Sequence, residues 1–378
     1  MPSSLLLRRL AWTATVFALC VIVFGAFVRL SNAGLSCPDW PTCYGKATWP
    51  GHEHEIAHAN ANFDRPVETH RAWREQVHRM IAGTLGLLVL GLAVVAAWRR
   101  WRLVAVLGIA ALAAACAVRA YMQGAVELSG WLAALGMALP LLAAWRLERP
   151  APWRIAIVAF SVIIFQAMLG MWTVTWLLKP VIVMAHLLGG LLTLVLLGYV
   201  ALAVSRTASP SAALRQLRPM VVVGLVLLAA QIALGGWVSA NYAALSCGLD
   251  FPTCQGRWWP PMDFREGFVL WRGIGVNYEG GILDGPARTA IQMTHRIGAL
   301  IVLGHVGATA WLAVRRGERR LGLIVGGLLC LQVALGIGNV LLDLPLPVAT
   351  AHNGVAALLL LSLLALLVRT RESPASAA

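Results

Sequence analysis

Long apolar runs separated by short basic clusters set the pattern of this chain. The runs fall at roughly 11–32, 77–98, 103–122, 127–146, 153–175, 181–204, 219–240, 289–314, 320–342 and 347–368, each near the ~20 residues that a helix needs to cross a bilayer. An all-α polytopic membrane protein of ten spans is the expected fold class. Of its 378 residues 59% are hydrophobic and 12% charged, a balance that excludes an ordinary soluble domain. The formal charge of +14 sits in clusters between the runs, which set topology more often than they bind a polyanion, and no nucleic-acid partner is expected. Arg8 and Arg9; Arg99, Arg100 and Arg102; Arg146, Arg149 and Arg154; Arg206, Arg215 and Arg218; Arg315, Arg316, Arg319 and Arg320; and Arg369 and Arg371 all fall on one side of ten alternating spans. That side is read as cytoplasmic, with both termini inside. The long loops 33–74 and 241–288 then face outward. The first run has the alternative of a cleaved signal peptide, although it is long for a signal core.

The pattern repeats. GAFVRLSNAGLSC, Gly25 to Cys37, matches GGWVSANYAALSC, Gly235 to Cys247, and PDWPTCYG is followed by GLDFPTCQG in the second half with one residue inserted. QAMLGMWTV from Gln166 matches QVALGIGNV from Gln332, and Ala185–His186 matches Ala351–His352 at the same twenty-residue spacing. His78 and Arg79 correspond to His295 and Arg296. A tandem duplication, with halves at 1–205 and 206–378, is therefore expected. His78 to Gln166 is 88 residues and His295 to Gln332 only 37. The first half thus carries an insertion, read as a transmembrane hairpin over about 103–146. Arg119, Tyr121, Gln123 and Glu127 near its middle leave a re-entrant segment as the alternative.

Four histidines, His78, His186, His295 and His352, lie near the outer, N-terminal ends of spans, two in each half. Opposed imidazoles at one depth are what a six-coordinate heme requires, so His78 with His186 and His295 with His352 make two candidate iron sites. The competing reading is four core histidines satisfied by neighbouring helices. Gly83, Gly189, Gly190, Gly298 and Gly354 lie nearby and would let a flat ligand approach. Arg79 and Arg296 are placed either for heme propionates or for simple snorkelling. With a helix beginning near residue 75, Glu75 shares the first turn with His78, whereas the position equivalent to it before His295 is Gln292. A carboxylate in one site and an amide in the other suggests that one heme position does proton chemistry and the other passes electrons. The alternative for Glu75 is an ion pair with Arg71 or Arg79. Cys37 with Cys43 and Cys247 with Cys254 are expected as disulfides in an oxidising periplasm, against a metal or thiol-exchange pair. Cys20, Cys116 and Cys330 are expected as packing residues within spans. His52, His54, His58 and His70 crowd the first loop, either as solvated side chains or as a zinc site. His305 lies deep in a span without an assigned role.

Taken together, the two Cys loops, the stretch Glu75 to Arg79, FQAMLGMWTV with Ala185–His186, His295–Arg296 and Ala351–His352 resemble the bacterial heme A synthase family, related to the mitochondrial heme A synthase of cytochrome oxidase assembly. The resemblance covers nearly the whole chain except about 103–150. It implies eight core helices in two pseudo-symmetric four-helix bundles, location in the bacterial inner membrane, and oxidation of the methyl group of heme O to the formyl group of heme A for terminal oxidases. It implies a heme b cofactor on His295 and His352, the substrate heme on His78 and His186, Glu75 as the essential acid group, and a disulfide between Cys37 and Cys43. Successive hydroxylations of a methyl give a geminal diol that loses water to an aldehyde, which needs electrons removed and protons accepted beside the ring. The partners implied are heme O, the lipid bilayer, an electron acceptor, heme O synthase and terminal-oxidase assembly factors, with a homo-oligomer as a further expectation. The rival reading of the residues alone is a diheme b-type cytochrome linked to quinone, and a third is a heme transporter or chaperone. The inserted hairpin departs from the family pattern.

Overall fold

The computed structural model describes residues 2–148, 150–205 and 211–371, so Arg149 and Arg206 of the basic clusters lie outside the described residues. Within these the chain forms helices α1 (Pro2–Leu30), α2 (Glu53–Asn62), α3 (Thr69–Ala96), α4 (Trp101–Met122), α5 (Val126–Trp145), α6 (Ala151–Thr175) and α7 (Pro180–Ser205). They continue as α8 (Ala212–Arg215), α9 (Arg218–Ala240), α10 (Phe264–Gly267), α11 (Gly285–Arg315), α12 (Arg319–Leu341) and α13 (Leu346–Arg369). Among the described residues ten stretches are long and apolar enough to cross a membrane, the number expected from the pattern. Helices satisfy every backbone polar group internally, which is why this composition resolves into spans. The protein is an all-α multi-pass membrane protein.

Spans α1, α3 and α11 start four or more residues earlier than the apolar pattern indicated, α1 at Pro2. Helix α3 begins at Thr69, because its polar first turns are held by packing and not by lipid. Ala72 is fully buried in the cluster formed by Cys37, Cys43, Tyr44 and Ala59, with Trp49, Phe63 and Val67 around it. Glu75 therefore stands in the second turn of its helix, not the first. Helix α11 begins at Gly285, where the Asp284 side chain accepts from the Ala287 N–H at 2.9 Å and Pro286 fills the first turn.

The chain divides into two compact units. One comprises Met1–Thr175 and Gly189–Ser205, the other Trp176–Leu188 and Arg206–Ala378. In the first, α1 packs on α3, and α3 and α5 both pack on α6. The insertion is a pair of span-length helices, α4 and α5, packed on each other, with α5 resting on α6. Small buried residues make their seam: Ala110, Ala113, Ala117 and Ala120 on α4 face Ser129, Ala133, Gly136, Pro140 and Ala143 on α5. A Cβ on Gly136 would lie 3.1 Å from the Ala110 carbonyl oxygen, a tight contact that glycine avoids. Ser161 of α6 donates to the Met137 carbonyl at 2.8 Å and ties the hairpin to the first unit. Trp131, 77% exposed, looks away from all of this, as a lipid-facing side chain does. Cys20, Cys116 and Cys330 also lie on exposed helix faces, not in the packing expected of them.

In the second unit α9 packs on α11 and α13, and α12 on α11 and α13. The turns entering α7 and α13 have the same backbone. Leu177 and Leu178 take φ of 50° and 59°, and Asp343 and Leu344 take 60° and 54°, at positions that coincide when the two Ala–His pairs are aligned.

The first outer loop carries a pH-sensitive contact. The Lys46 ammonium, followed by the Gly51 and His52 N–H groups, holds the Glu55 carboxyl down to about 2 from 4.5. A depressed carboxyl stabilises the fold above about 4.5 and loses that contribution as pH falls toward about 2. Proteolysis of the loop around α2 is accordingly expected to accelerate through that acid window. Replacement Glu55→Gln should flatten the acid-dependent part, and an unchanged profile in that variant would remove Glu55 as its cause.

Candidate functional site

Both cysteine pairs are disulfides, Cys37–Cys43 and Cys247–Cys254. The two loops are built alike. Asp39 accepts from the Tyr44 and Gly45 N–H groups at 2.6 and 2.8 Å, and Asp250 accepts from the Gly256 N–H at 2.6 Å. Each loop is then clamped by the arginine that follows a candidate ligand histidine. Arg79 donates to the carbonyls of Asp39 and Thr42 at 2.8 and 2.6 Å, and Arg296 to those of Asp250 and Thr253 at 3.0 and 2.9 Å. The recurrent Asp-x-Pro-Thr-Cys-x-Gly in both halves was the sequence signal for this clamp.

Glu75 is 4% exposed and joins the first clamp. One carboxylate oxygen pairs with Arg79 Nη2 at 2.5 Å, and the other accepts from the Cys37 N–H at 2.9 Å. Of the two arginines considered as its ion partner, Arg79 is the one engaged, while Arg71 pairs with Glu68 at 3.1 Å. At the corresponding place in the second unit, Gln292 is equally buried and its amide oxygen has no hydrogen-bond partner.

This difference gives a test. Replacement Arg79→Met orphans a buried carboxylate as well as loop carbonyls, a change that costs about 3–5 kcal/mol when a buried pair is broken. Arg296→Met orphans carbonyls only. Thermal unfolding in detergent is expected to show the larger loss for Arg79→Met, partly recovered by adding Glu75→Gln. Equal losses in the two single variants would show that the Glu75 pair adds nothing.

Each of three candidate ligand histidines is seated against a glycine of a neighbouring helix. A Cβ on Gly25 of α1 would meet His78 Cε1 at 2.7 Å. Added Cβ atoms on Gly235 of α9 and Gly336 of α12 would meet the Cε1 atoms of His295 and His352 at 3.1 Å. All three lie inside the repeated motifs, but none is among the glycines expected beside the ligand. Of the expected set, Gly189 and Gly190 lie against the Gln166 amide and Gly298 against that of Gln231, while Gly83 has open space. Gln231 Nε2 lies 3.0 Å from His295 Nδ1 and 2.8 Å from the His295 carbonyl, which fixes the ring. Gln332 Nε2 lies 3.1 Å from His352 Nε2, and His352 Nδ1 is buried without a partner.

His295 and His352 lie within one unit, half-buried on α11 and α13. His186 is half-buried on the segment of α7 that belongs to the second unit, and His78 belongs to the first. The second-unit pair fits an iron porphyrin on three counts: two imidazoles on separate helices, a glycine behind each ring, and an orphaned ring nitrogen. The remaining histidines are accounted for differently. His305 hydrogen-bonds the Met220 carbonyl at 2.9 Å. His52, His54, His58 and His70 are exposed, and no cluster of three or more His, Cys, Asp or Glu side chains suited to a metal ion forms among the described residues.

Comparison with known proteins gives the family of the chain. The family model COX15-CtaA, described as cytochrome oxidase assembly protein, matches residues 8–132 and 127–364. A protein of Shewanella oneidensis named heme A synthase is 40% identical over 353 residues, 92% of each chain. Proteins of the same name from Rhizorhabdus wittichii and Granulibacter bethesdensis are each 26% identical, over 92% and 93% of this chain and 89% and 85% of theirs. With matches of this extent in both halves, the chain belongs to the COX15-CtaA family of cytochrome oxidase assembly proteins.

Proposed function

We propose that the protein is an enzyme of heme A biosynthesis that oxidises the methyl group of heme O to the formyl group of heme A, as the names of its relatives indicate. The observation that carries the heme reading is the glycine-seated pair His295 and His352, with His295 held in register by Gln231. These two residues ligate a heme b, which supplies one-electron redox chemistry. The Gln231 amide, set against both His295 Nδ1 and the His295 carbonyl, fixes the position of the ring in its seat on Gly235.

His78 and His186 are each assigned as a ligand of the substrate heme. Glu75 is the one carboxylate within a turn of His78 on its helix, and its oxygens are the place for a proton leaving the oxidised carbon. Arg79 stabilises the ionised form through the 2.5 Å contact, and the Cys37 N–H stabilises the other oxygen. Gln292 cannot take a proton, so the second site is restricted to electron passage. Arg79 and Arg296 serve by holding the disulfide loops to these helices. The loops and both sites lie on the periplasmic side of the inner membrane.

The reading is tested by extracting the hemes of purified protein and weighing them. Heme A, or its hydroxylated precursor, together with heme b is the expected result. Heme b alone, in the parent and in every variant, identifies an electron-carrying cytochrome instead.

A further inference from the structure

Lys179 closes the turn before α7 and is 1% exposed, and its Nζ has no hydrogen-bond partner. The ammonium lies 3.4 Å from the centre of the Trp271 ring and 5.4 Å from that of Trp176. A ring face attracts a cation but has no lone pair, so the N–H donors stay unsatisfied. Burial accordingly draws the Lys179 ammonium below the usual lysine range. The cover over it is built in: the Tyr278 N–H donates to the Leu177 carbonyl at 3.0 Å, and the fully buried Tyr278 ring braces the 271–278 segment on this turn.

We infer that Lys179 is an anion site for a carboxylate of the porphyrin held by His186, and so a positioning residue for the substrate. This rests on the proposed function. Lys179 stands seven residues before His186. Two helical turns put both on nearly one face and separate them by about 10 Å along the axis, comparable to the reach from a porphyrin's centre to the carboxylates on its edge. The Lys179 carbonyl already accepts from Ile182 and Val183, so the residue is in register with α7. Counting back seven from His352 gives Pro345, so only one of the two sites has this cation. Arg79, the cation that the sequence offered for the purpose, has donors committed to Glu75 and to loop carbonyls. On binding, the carboxylate displaces Trp271 from the ammonium and accepts its hydrogen bonds.

The test uses detergent-solubilised full-length protein titrated with ferric protoporphyrin and, separately, with its dimethyl ester, followed by absorbance. Binding that depends on His186 is defined by comparison with His186→Ala. The parent is expected to favour the diacid over the ester, Lys179→Met to lose about tenfold for the diacid and little for the ester, and Lys179→Arg to recover most of the loss. A thermal midpoint unchanged in Lys179→Met separates this from misfolding, and a fallen midpoint with Lys179→Arg equally weak overturns the inference in favour of a structural lysine. Equal affinities for both porphyrins in parent and Lys179→Met overturn the lysine assignment alone. A loss of co-purified anionic phospholipid in Lys179→Met, without loss of diacid preference, assigns the site to a lipid headgroup and overturns it too. Absence of any binding dependent on His186 overturns the proposed function and this inference together.

Discussion

Replacing Glu75 by Gln is expected to leave both hemes bound and to abolish conversion of heme O to heme A. The magnitude follows from the role: losing a positioned proton acceptor costs about 10²–10⁴ in rate, enough to remove the formyl product from a heme extract. The choice of glutamine matters, because Glu75 also helps to hold the disulfide loop. An amide oxygen can still accept from the Cys37 N–H, 2.9 Å away in the parent. The second unit shows that the clamp tolerates such a residue: Gln292 stands at the corresponding place while Arg296 keeps its contacts to Asp250 and Thr253. What the substitution removes is the charge and the capacity to be protonated. Heme content by absorbance and product by mass of the extracted hemes check the two halves of the expectation. Heme A formed at the parent rate would take the proton chemistry away from Glu75. Loss of heme along with activity would make the residue a support for the loop and nothing more.

How far the residues alone carried the structure depends on what each feature is made of. Spans were legible because lipid selects for apolarity, and all ten stretches lie where the runs do. The starts of α3 and α11 were not, since Thr69–Arg74 and Gly285–Arg288 are polar or capped residues made helical by a loop packed over them. The four histidines could be named from their place in the two halves. Their seats on Gly25, Gly235 and Gly336 could not, because a glycine in a membrane helix has many uses and only the facing helix shows which. Arg79 and Arg296 were visible as cations near the interface and the loop motif was visible as a repeat, but that the guanidinium takes the motif's backbone carbonyls shows only once the loop is folded over the helix. Lys179 was overlooked for a related reason. A single lysine between two spans reads as interfacial until Trp271, far along the chain, is seen lying over it.

The second site makes its own quantitative demand. Replacing His352 by Ala removes one of two iron ligands and is expected to strip the protein of one heme and of all heme A formation, because the proposed electron path then ends at an empty pocket. The glycine behind the ring turns this into a graded test. Gly336→Val adds a Cβ 3.1 Å from His352 Cε1 and two further methyl groups, so the ring must leave its seat. Heme at this site should fall well below one equivalent, with its absorbance bands shifted. On the same helix Gly327 has nothing within 4 Å of an added Cβ, so Gly327→Val is the matched control and should keep the parent spectrum. A protein that holds both hemes with either His352→Ala or Gly336→Val would show that the α11 and α13 pair does not ligate iron. The glycine contacts would then be ordinary helix packing around a histidine.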